Sequence, residues 1–119
     1  MAKGTITHIE FPSDDLERAQ RFYAAVAGWE FRPMEGFPEY VLFGSEEGHG
    51  GGIGTRGGSV ASNLRVYITV DSLEEGIAAA EANGGSVTSP AQDVPGQGRF
   101  AAVLDSEGTE IGLWENAPG

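Results

Sequence analysis

No cysteine occurs among the 119 residues, which excludes a disulfide framework, a thiolate nucleophile and every Cys-ligated metal or iron–sulfur site. It does not fix a redox compartment, since a cysteine-free chain folds in either. Cations are scarce. Seven Lys+Arg stand against 18 Asp+Glu, a formal net charge of −11. Such a field repels phosphates, so nucleic acid and anionic membrane surfaces are poor partners, and the charge reads first as a solubility device. Long apolar runs are also missing. Residues Met1–Thr7 hold no signal-peptide core and no stretch reaches transmembrane length, so a cytoplasmic protein is the expectation. Neither a Gly-x-Ser-x-Gly nor a Walker-type Gly-Lys-Ser/Thr string occurs, which leaves serine hydrolysis and nucleotide cradling without support.

What is present is 39% hydrophobic residues plus 19 glycines in a chain of one-domain length. The chain repeats itself. Ser13-Asp-Asp-Leu-Glu-Arg-Ala and Val70-Asp-Ser-Leu-Glu-Glu-Gly align at an offset of 57 (71 − 14), and Gly28 then matches Gly85. Asp14-x-x-Glu17 and Asp71-x-x-Glu74 both read as capping boxes opening a helix. Leu16, Ala19, Tyr23, Val26 and Ala27 form an apolar stripe in the first half, and Leu73, Ile77 and Ala80 form one in the second. Gly28 and Gly84-Gly85 stop the two helices.

The strand before each helix alternates with period two. Ile9 and Phe11 share one face, while Ile6, His8 and Glu10 share the other. Leu64, Val66, Ile68 and Val70 oppose Asn63, Arg65, Tyr67 and Thr69. The apolar faces are expected to pack on the helices, which leaves His8, Glu10, Arg65 and Tyr67 on a face suited to lining a cavity. Short strands follow near Tyr40–Phe43, Ile53–Thr55, Phe100–Leu104 and Glu110–Glu115. Gly48–Gly54 and the linker Arg56–Ser62 are the loosest segments. Each module has about 55 residues, too few for a core alone, so their sheets must pair.

This pattern resembles the vicinal-oxygen-chelate superfamily, which holds glyoxalase I, bleomycin-resistance proteins and extradiol dioxygenases. It is nearest to small glyoxalase-related proteins of undefined activity. The carrying residues are Ile6-Thr-His-Ile-Glu, Asp15-Leu-Glu-Arg-Ala-Gln-Arg-Phe-Tyr, Gly28-Trp-Glu-Phe, Gly51-Gly-Ile-Gly, Val70-Asp-Ser-Leu-Glu-Glu, Gly84-Gly and Asp105-Ser-Glu-Gly-Thr-Glu-Ile-Gly-Leu-Trp-Glu. The resemblance implies an α+β fold in one domain, with two βαβββ modules, about 4–56 and 62–117, whose curved mixed sheets form a cup. It also implies four metal-ligand positions, carried over here to His8, Arg65, Gly54 and Gly112. An arginine and two glycines supply no ligand, so no bound metal is expected. Should a divalent metal bind, His8 with Glu10 or Glu110 would hold it.

His8, with Glu10 to orient it, is the candidate for proton transfer. Its plain alternative is a histidine merely hydrogen-bonded in the cup. Arg65 and Tyr67 could clamp an oxyanion, unless Arg65 forms an internal pair with Glu10 or Glu110. Trp114 between the spaces left by Gly54 and Gly112 would make a slot for a flat ligand, unless it fills that slot itself. Trp29 reads as core. Gly52-x-Gly-x-x-Gly57 matches a dinucleotide fingerprint only formally, because no helix follows it, and His49 reads as a loop residue. The leading expectation is a small-molecule-binding protein without a tightly held metal, acting as a homodimer that contacts near its first strands or Gly48–Gly58. The second is a metal-dependent lyase, isomerase or dioxygenase, and the third a structural domain with a filled cup.

Overall fold

A computed structural model describes residues 3–44, 50–56 and 63–118. The chain divides into two compact units, one of His8–Arg65 and one of Met1–Thr7 with Val66–Gly119. Among the described residues, no helix is long and apolar enough to cross a membrane.

In the first unit, β1 (Ile6–Ser13, whose start belongs to the other unit) leads into α1 (Leu16–Ala27), β2 (Phe31–Met34), β3 (Phe37–Phe43) and β4 (Gly51–Thr55). The sheet order is β2-β3-β4-β1. β1 runs parallel to β4 with Glu10 opposite Gly52, and β3 runs antiparallel to β4 with Leu42 opposite Gly52. An aromatic cluster joins helix to sheet. Phe11 meets Tyr23, Trp29 and Phe43 at ring centroid distances of 5.4, 5.8 and 5.8 Å, and Trp29 stacks on Phe43 at 4.0 Å. Trp29 thus belongs to the packing, as its place after the helix stop suggests.

The second unit repeats the order with β5 (Arg65–Thr69, beginning in the first unit), α2 (Leu73–Ala82), β6 (Ser86–Val94), β7 (Gly98–Leu104) and β8 (Glu110–Asn116). Its sheet order is β5-β8-β7-β6, with β5 parallel to β8 and Tyr67 opposite Gly112. Leu73, Ala101, Val103 and Leu113 form the buried core, with Val70, Ile77 and Ala80 packed on it. Backbone bonds tie the chain start to this unit: Gly4 N donates to Thr69 O at 2.8 Å and Thr69 N to Thr5 O at 2.9 Å.

Three local expectations need correction. Both helix caps lie one residue later than the capping-box reading placed them. Asp15, not Asp14, accepts from Arg18 N, and Ser72, not Asp71, accepts from Glu75 N; each cap is extended (φ −146° and −145°) just before the first helical leucine. Asp14 is left to pair with the Arg56 guanidinium at 2.6 Å. Second, Val26 leaves the α1 stripe and is 69% exposed beside Phe22 at 57%; Tyr23 carries the helix–sheet contact, and Ala27 is exposed too. Third, Gly51–Gly54 is no loose segment. All four residues are buried in β4, and a Cβ on Gly51 would fall on the Ile9 carbonyl of β1, so close strand approach demands glycine there. His49 and most of Gly48–Gly50 and of the Arg56–Ser62 linker lie outside the described residues. The helix stops are as read: Gly28 (φ 72°) and Gly84 (φ 93°) adopt the left-handed conformation.

Candidate functional site

Alternation along β1 sends Phe11 to the helix and therefore His8 and Glu10 to the opposite face of the first unit's sheet. Glu10 is buried there, an unusual position for a carboxylate on a small sheet. Its surroundings account for it. Tyr40 reaches across from β3 and donates its phenolic O–H to Glu10 Oε2 at 3.0 Å, and the same phenol oxygen lies 2.7 Å from His8 Nε2. Arg65 Nη1 lies 3.8 Å from Glu10 Oε1, with both side chains about nine-tenths buried. The result is a continuous chain, His8–Tyr40–Glu10–Arg65, in which a charged pair sits beside two neutral groups. Burial pulls the His8 imidazole down from its ordinary 6.5 to about 4, so at neutral pH the ring is uncharged.

Gly52 makes this arrangement possible. Any Cβ on Gly52 would lie inside the Tyr40 ring, so the ring occupies the space that a side chain on β4 would otherwise take. Tyr40 is the member that sequence reasoning missed. It was visible as the start of a strand, but its link to β1 required the strand pairing that only the fold supplies. Arg65 adopts the internal pairing with Glu10.

The second unit repeats the device with different chemistry. The Tyr67 ring covers Gly112 as Tyr40 covers Gly52, and Phe100 meets Tyr67 edge-on at 6.1 Å. Trp114 faces Phe100 across the β7–β8 ladder, lies over Gly98 and donates Nε1–H to Asn116 Oδ1 at 2.8 Å. The register also corrects the match between halves. Glu10 pairs with Gly52 as Tyr67 (10 + 57) pairs with Gly112, so Gly52 is the counterpart of Gly112. Gly54 instead corresponds to Trp114 (Pro12 and Thr69 being their partners), so the ligand position carried over to Gly54 belongs two residues earlier, at Gly52. Gly54 is buried, and its carbonyl accepts from Ser13 Oγ at 3.3 Å.

The closing Gly-Leu-Trp-Glu contains a structural acid. Glu115 accepts from Leu73 N at 2.8 Å at the start of α2 and from Arg99, whose guanidinium also forks onto Glu74 with two bonds of 2.9 Å. The Arg99 bonds hold the Glu74 carboxyl down at about 2 and lower that of Glu115 as well. A shallow groove of about 470 Å³ beside this clamp, lined by Asp93, Pro95, Arg99 and Pro118 among others, contains none of the sequence-predicted ligand residues.

A divalent metal fits the donors poorly. His8 Nε2 and both Glu10 oxygens are already engaged by Tyr40 and Arg65, a guanidinium stands where a further ligand would be needed, and Glu110 accepts from Thr88 Oγ1 at 2.6 Å. Among the described residues, no three His, Cys, Asp or Glu side chains converge in a group able to hold a metal.

Comparison with known proteins places the chain among relatives. Residues 5–44 match a family model described as bleomycin resistance protein-like N-terminal. The chain is 32% identical over 118 residues to "Putative glyoxylase CFP32" of Mycobacterium bovis, covering 97% of this chain but 45% of that protein, so it spans about half the length of that relative. It is 32% identical over 89 residues to a "Glyoxylase-like domain-containing protein" of Didymella fabae, covering 69% of this chain and 70% of that one. Among solved structures, methylmalonyl-CoA epimerase from Mycobacterium tuberculosis superposes with a TM-score of 0.74 at 16% identity, covering 99% of this chain and 93% of the epimerase. A glyoxalase/bleomycin resistance protein/dioxygenase superfamily member from Vibrio splendidus gives 0.67 at 14% identity, covering 94% and 100%. At those identities the structural likeness is one of fold.

Proposed function

This chain belongs to the glyoxalase/bleomycin-resistance/dioxygenase superfamily and has its fold, and from that premise we propose that it binds a small organic molecule on the His8–Tyr40–Glu10–Arg65 face without a bound metal. The buried, internally paired cluster of four polar side chains carries this reading. A strand face with no ligand to meet would more simply be filled by apolar side chains, because burying charge is costly even when it is paired. Since Arg65 is balanced by Glu10, the surface presents hydrogen-bonding groups with little net charge, which suits a neutral polar ligand. On the second unit we assign Tyr67, Gly112 and Trp114 as the flat, apolar ligand surface, with Trp114 as its stacking element. The same reading comprises a cytoplasmic homodimer.

The test is a thermal-shift and NMR titration with a library of small neutral and carboxylic compounds, alongside elemental analysis of protein purified without chelator. A ligand at 100 times its Kd adds about 2.7 kcal/mol of stability. Binding that weakens about tenfold in Tyr40→Phe and Arg65→Gln supports the reading. One metal ion per chain, lost in His8→Ala, sinks the metal-free form, and a library with no binder to either unit sinks the ligand. Light scattering reads the assembly: 12.5 kDa is the mass of one chain, so a mass near twice that is expected.

A further inference from the structure

We propose that the outward face of α1 is the surface on which this chain meets a second copy of itself, seated against the outward face of α2 of that copy. The proposal rests on the homodimer reading above and deepens it by naming the contact.

Helical spacing places Arg18, Arg21, Phe22, Ala25 and Val26 on one side of α1, opposite the Tyr23 side that packs on Phe11, and all five are exposed. Phe22 and Val26 stand one turn apart and are the most exposed large apolar side chains among the described residues. On α2 the outward residues are Glu75, Ala78, Ala79, Glu81 and Ala82, all exposed as well. Three alanines leave a low surface that a second helix can approach closely, and Phe22 and Val26 are the projecting side chains such a surface receives. Charge selects the same match. Arg18 and Arg21 are two of only seven cations in a chain of net charge −11, and among the described residues neither guanidinium is paired with a carboxylate. Glu75 and Glu81 are likewise without an ion pair there, whereas Glu74 is held by Arg99. Since Glu75 lies near the start of α2 and Glu81 near its end, either direction of crossing brings a carboxylate to the arginines. Exposed pairs of this kind add little affinity but select the partner and its orientation. The edge strands compete poorly. β2 and β6, at the two ends of the strand order, carry Pro33 and Pro90 at shifts of register, and both devices keep an edge from pairing with another chain. A two-fold axis makes the helix contact twice, α1 on the partner's α2 and the reverse. The helices, of 12 and 10 residues, are only about 18 and 15 Å long. One crossing falls short of the about 1,200 Å² at which specific interfaces begin, and the symmetric second crossing doubles what is buried.

Light scattering of the full chain, with circular dichroism to check the fold, tests the contact by charge exchange. One variant carries Arg18→Glu with Arg21→Glu, the other Glu75→Lys with Glu81→Lys; all four positions are exposed, so both should fold as wild type does. Wild type is expected near twice 12.5 kDa and each variant near 12.5 kDa, a twofold loss of mass. Mixed in equal amounts, the two variants should pair again, because each α1 then meets an α2 of opposite charge. General repulsion does not produce that pattern. Net charge moves to −15 (−11 − 4) in the first variant and −7 (−11 + 4) in the second, so repulsion alone would separate one and tighten the other. Phe22→Ser with Val26→Ser should halve the mass too, and should a charge variant fail to fold, this serine variant decides whether α1 is the contact. A paired wild type whose variants stay paired overturns the proposal and leaves the homodimer standing. Wild type at 12.5 kDa overturns both. Variants that separate but do not pair on mixing overturn the match of α1 with α2.

Discussion

Acidification should destabilise this protein in a pH window set by His8, which opens above the one in which Glu74 and Glu115 lose their contribution. The imidazole lies at about 4 in the fold against an ordinary 6.5, so the unfolded chain binds the proton more tightly. A folded value below the unfolded one gives stability that is complete above about pH 6.5 and is lost as pH falls toward 4. A gap of roughly 2.5 units at about 1.36 kcal/mol per unit sets the ceiling near 3.4 kcal/mol, of which about 2 kcal/mol is already lost at about pH 5. That is a large part of a domain's stability of roughly 5–15 kcal/mol. Glu74 and Glu115 have their values depressed, so what they contribute is present above about 4.5 and disappears only as pH falls below it. Measurements near pH 5 therefore lie above the window in which Glu74 and Glu115 lose their contribution. The assay is equilibrium urea unfolding between pH 7.5 and 4.5, for wild type and for His8→Gln, whose side-chain amide can still donate to Tyr40. Wild type should lose about 2 kcal/mol between pH 7 and 5, while the variant stays nearly flat. Equal losses in the two proteins, or none in wild type, would refute a buried neutral His8.

Gly52→Ala should destabilise the fold by about 1–3 kcal/mol by overpacking, and should displace Tyr40 from His8, visible as a changed His8 ring signal. Gly112→Ala tests the matching contact with Tyr67 and should show a similar loss in urea unfolding. Glu115→Gln weakens the Arg99 clamp while keeping an acceptor for Leu73 N, so it should cost less than Glu115→Ala, which removes both and should lose about 1–3 kcal/mol. Ser72→Ala should lose about 1 kcal/mol and Asp71→Ala almost nothing, the reverse of the ranking that a capping box at Asp71 predicts.

The order of elements was legible because each leaves a local mark. The 57-residue offset, the left-handed glycines and the period-two strands need no knowledge of the partner strand. The edge strand β6 (Ser86–Val94) was not legible, since Thr88, Pro90, Ala91 and Gln92 are all exposed and no apolar alternation marks it. In the candidate site, His8 and Glu10 were readable as neighbours on one face of one strand. Tyr40 was not, because its contact spans 32 residues and depends on Gly52 lying opposite Glu10. The glycines of β4 suggest looseness in the sequence, yet in the fold they mark the closest packing. The same non-local dependence explains the misplaced Gly54: the halves share an offset of 57 along β1 and β5, but of 60 (112 − 52) along β4 and β8.

The two halves therefore agree where the backbone constrains them and differ in the side chains that line their sheet faces. Asp15 and Ser72 cap equivalent helices with different side chains, and Gly52 and Gly112 each admit a tyrosine ring. On the faces so prepared, His8 and Glu10 of the first half correspond to Arg65 and Tyr67, 57 residues on. The ring over Gly52 comes from β3 and ends in hydrogen bonds to charged and titratable partners, whereas the ring over Gly112 comes from β5 and meets Phe100. One scaffold thus carries a polar surface and an aromatic one, and exchanging them is a direct test of that division. Tyr40→Phe removes the phenol at the centre of the polar cluster while leaving the ring over Gly52, so it should alter the response to hydrogen-bonding ligands far more than stability. Trp114→Ala deletes a large, half-buried ring lying over Gly98 and should cost about 1.5–3 kcal/mol if that ring is packing alone. A loss well below that, together with weakened binding of flat compounds to the second unit, assigns Trp114 to the ligand; the full loss with binding unchanged assigns it to the core.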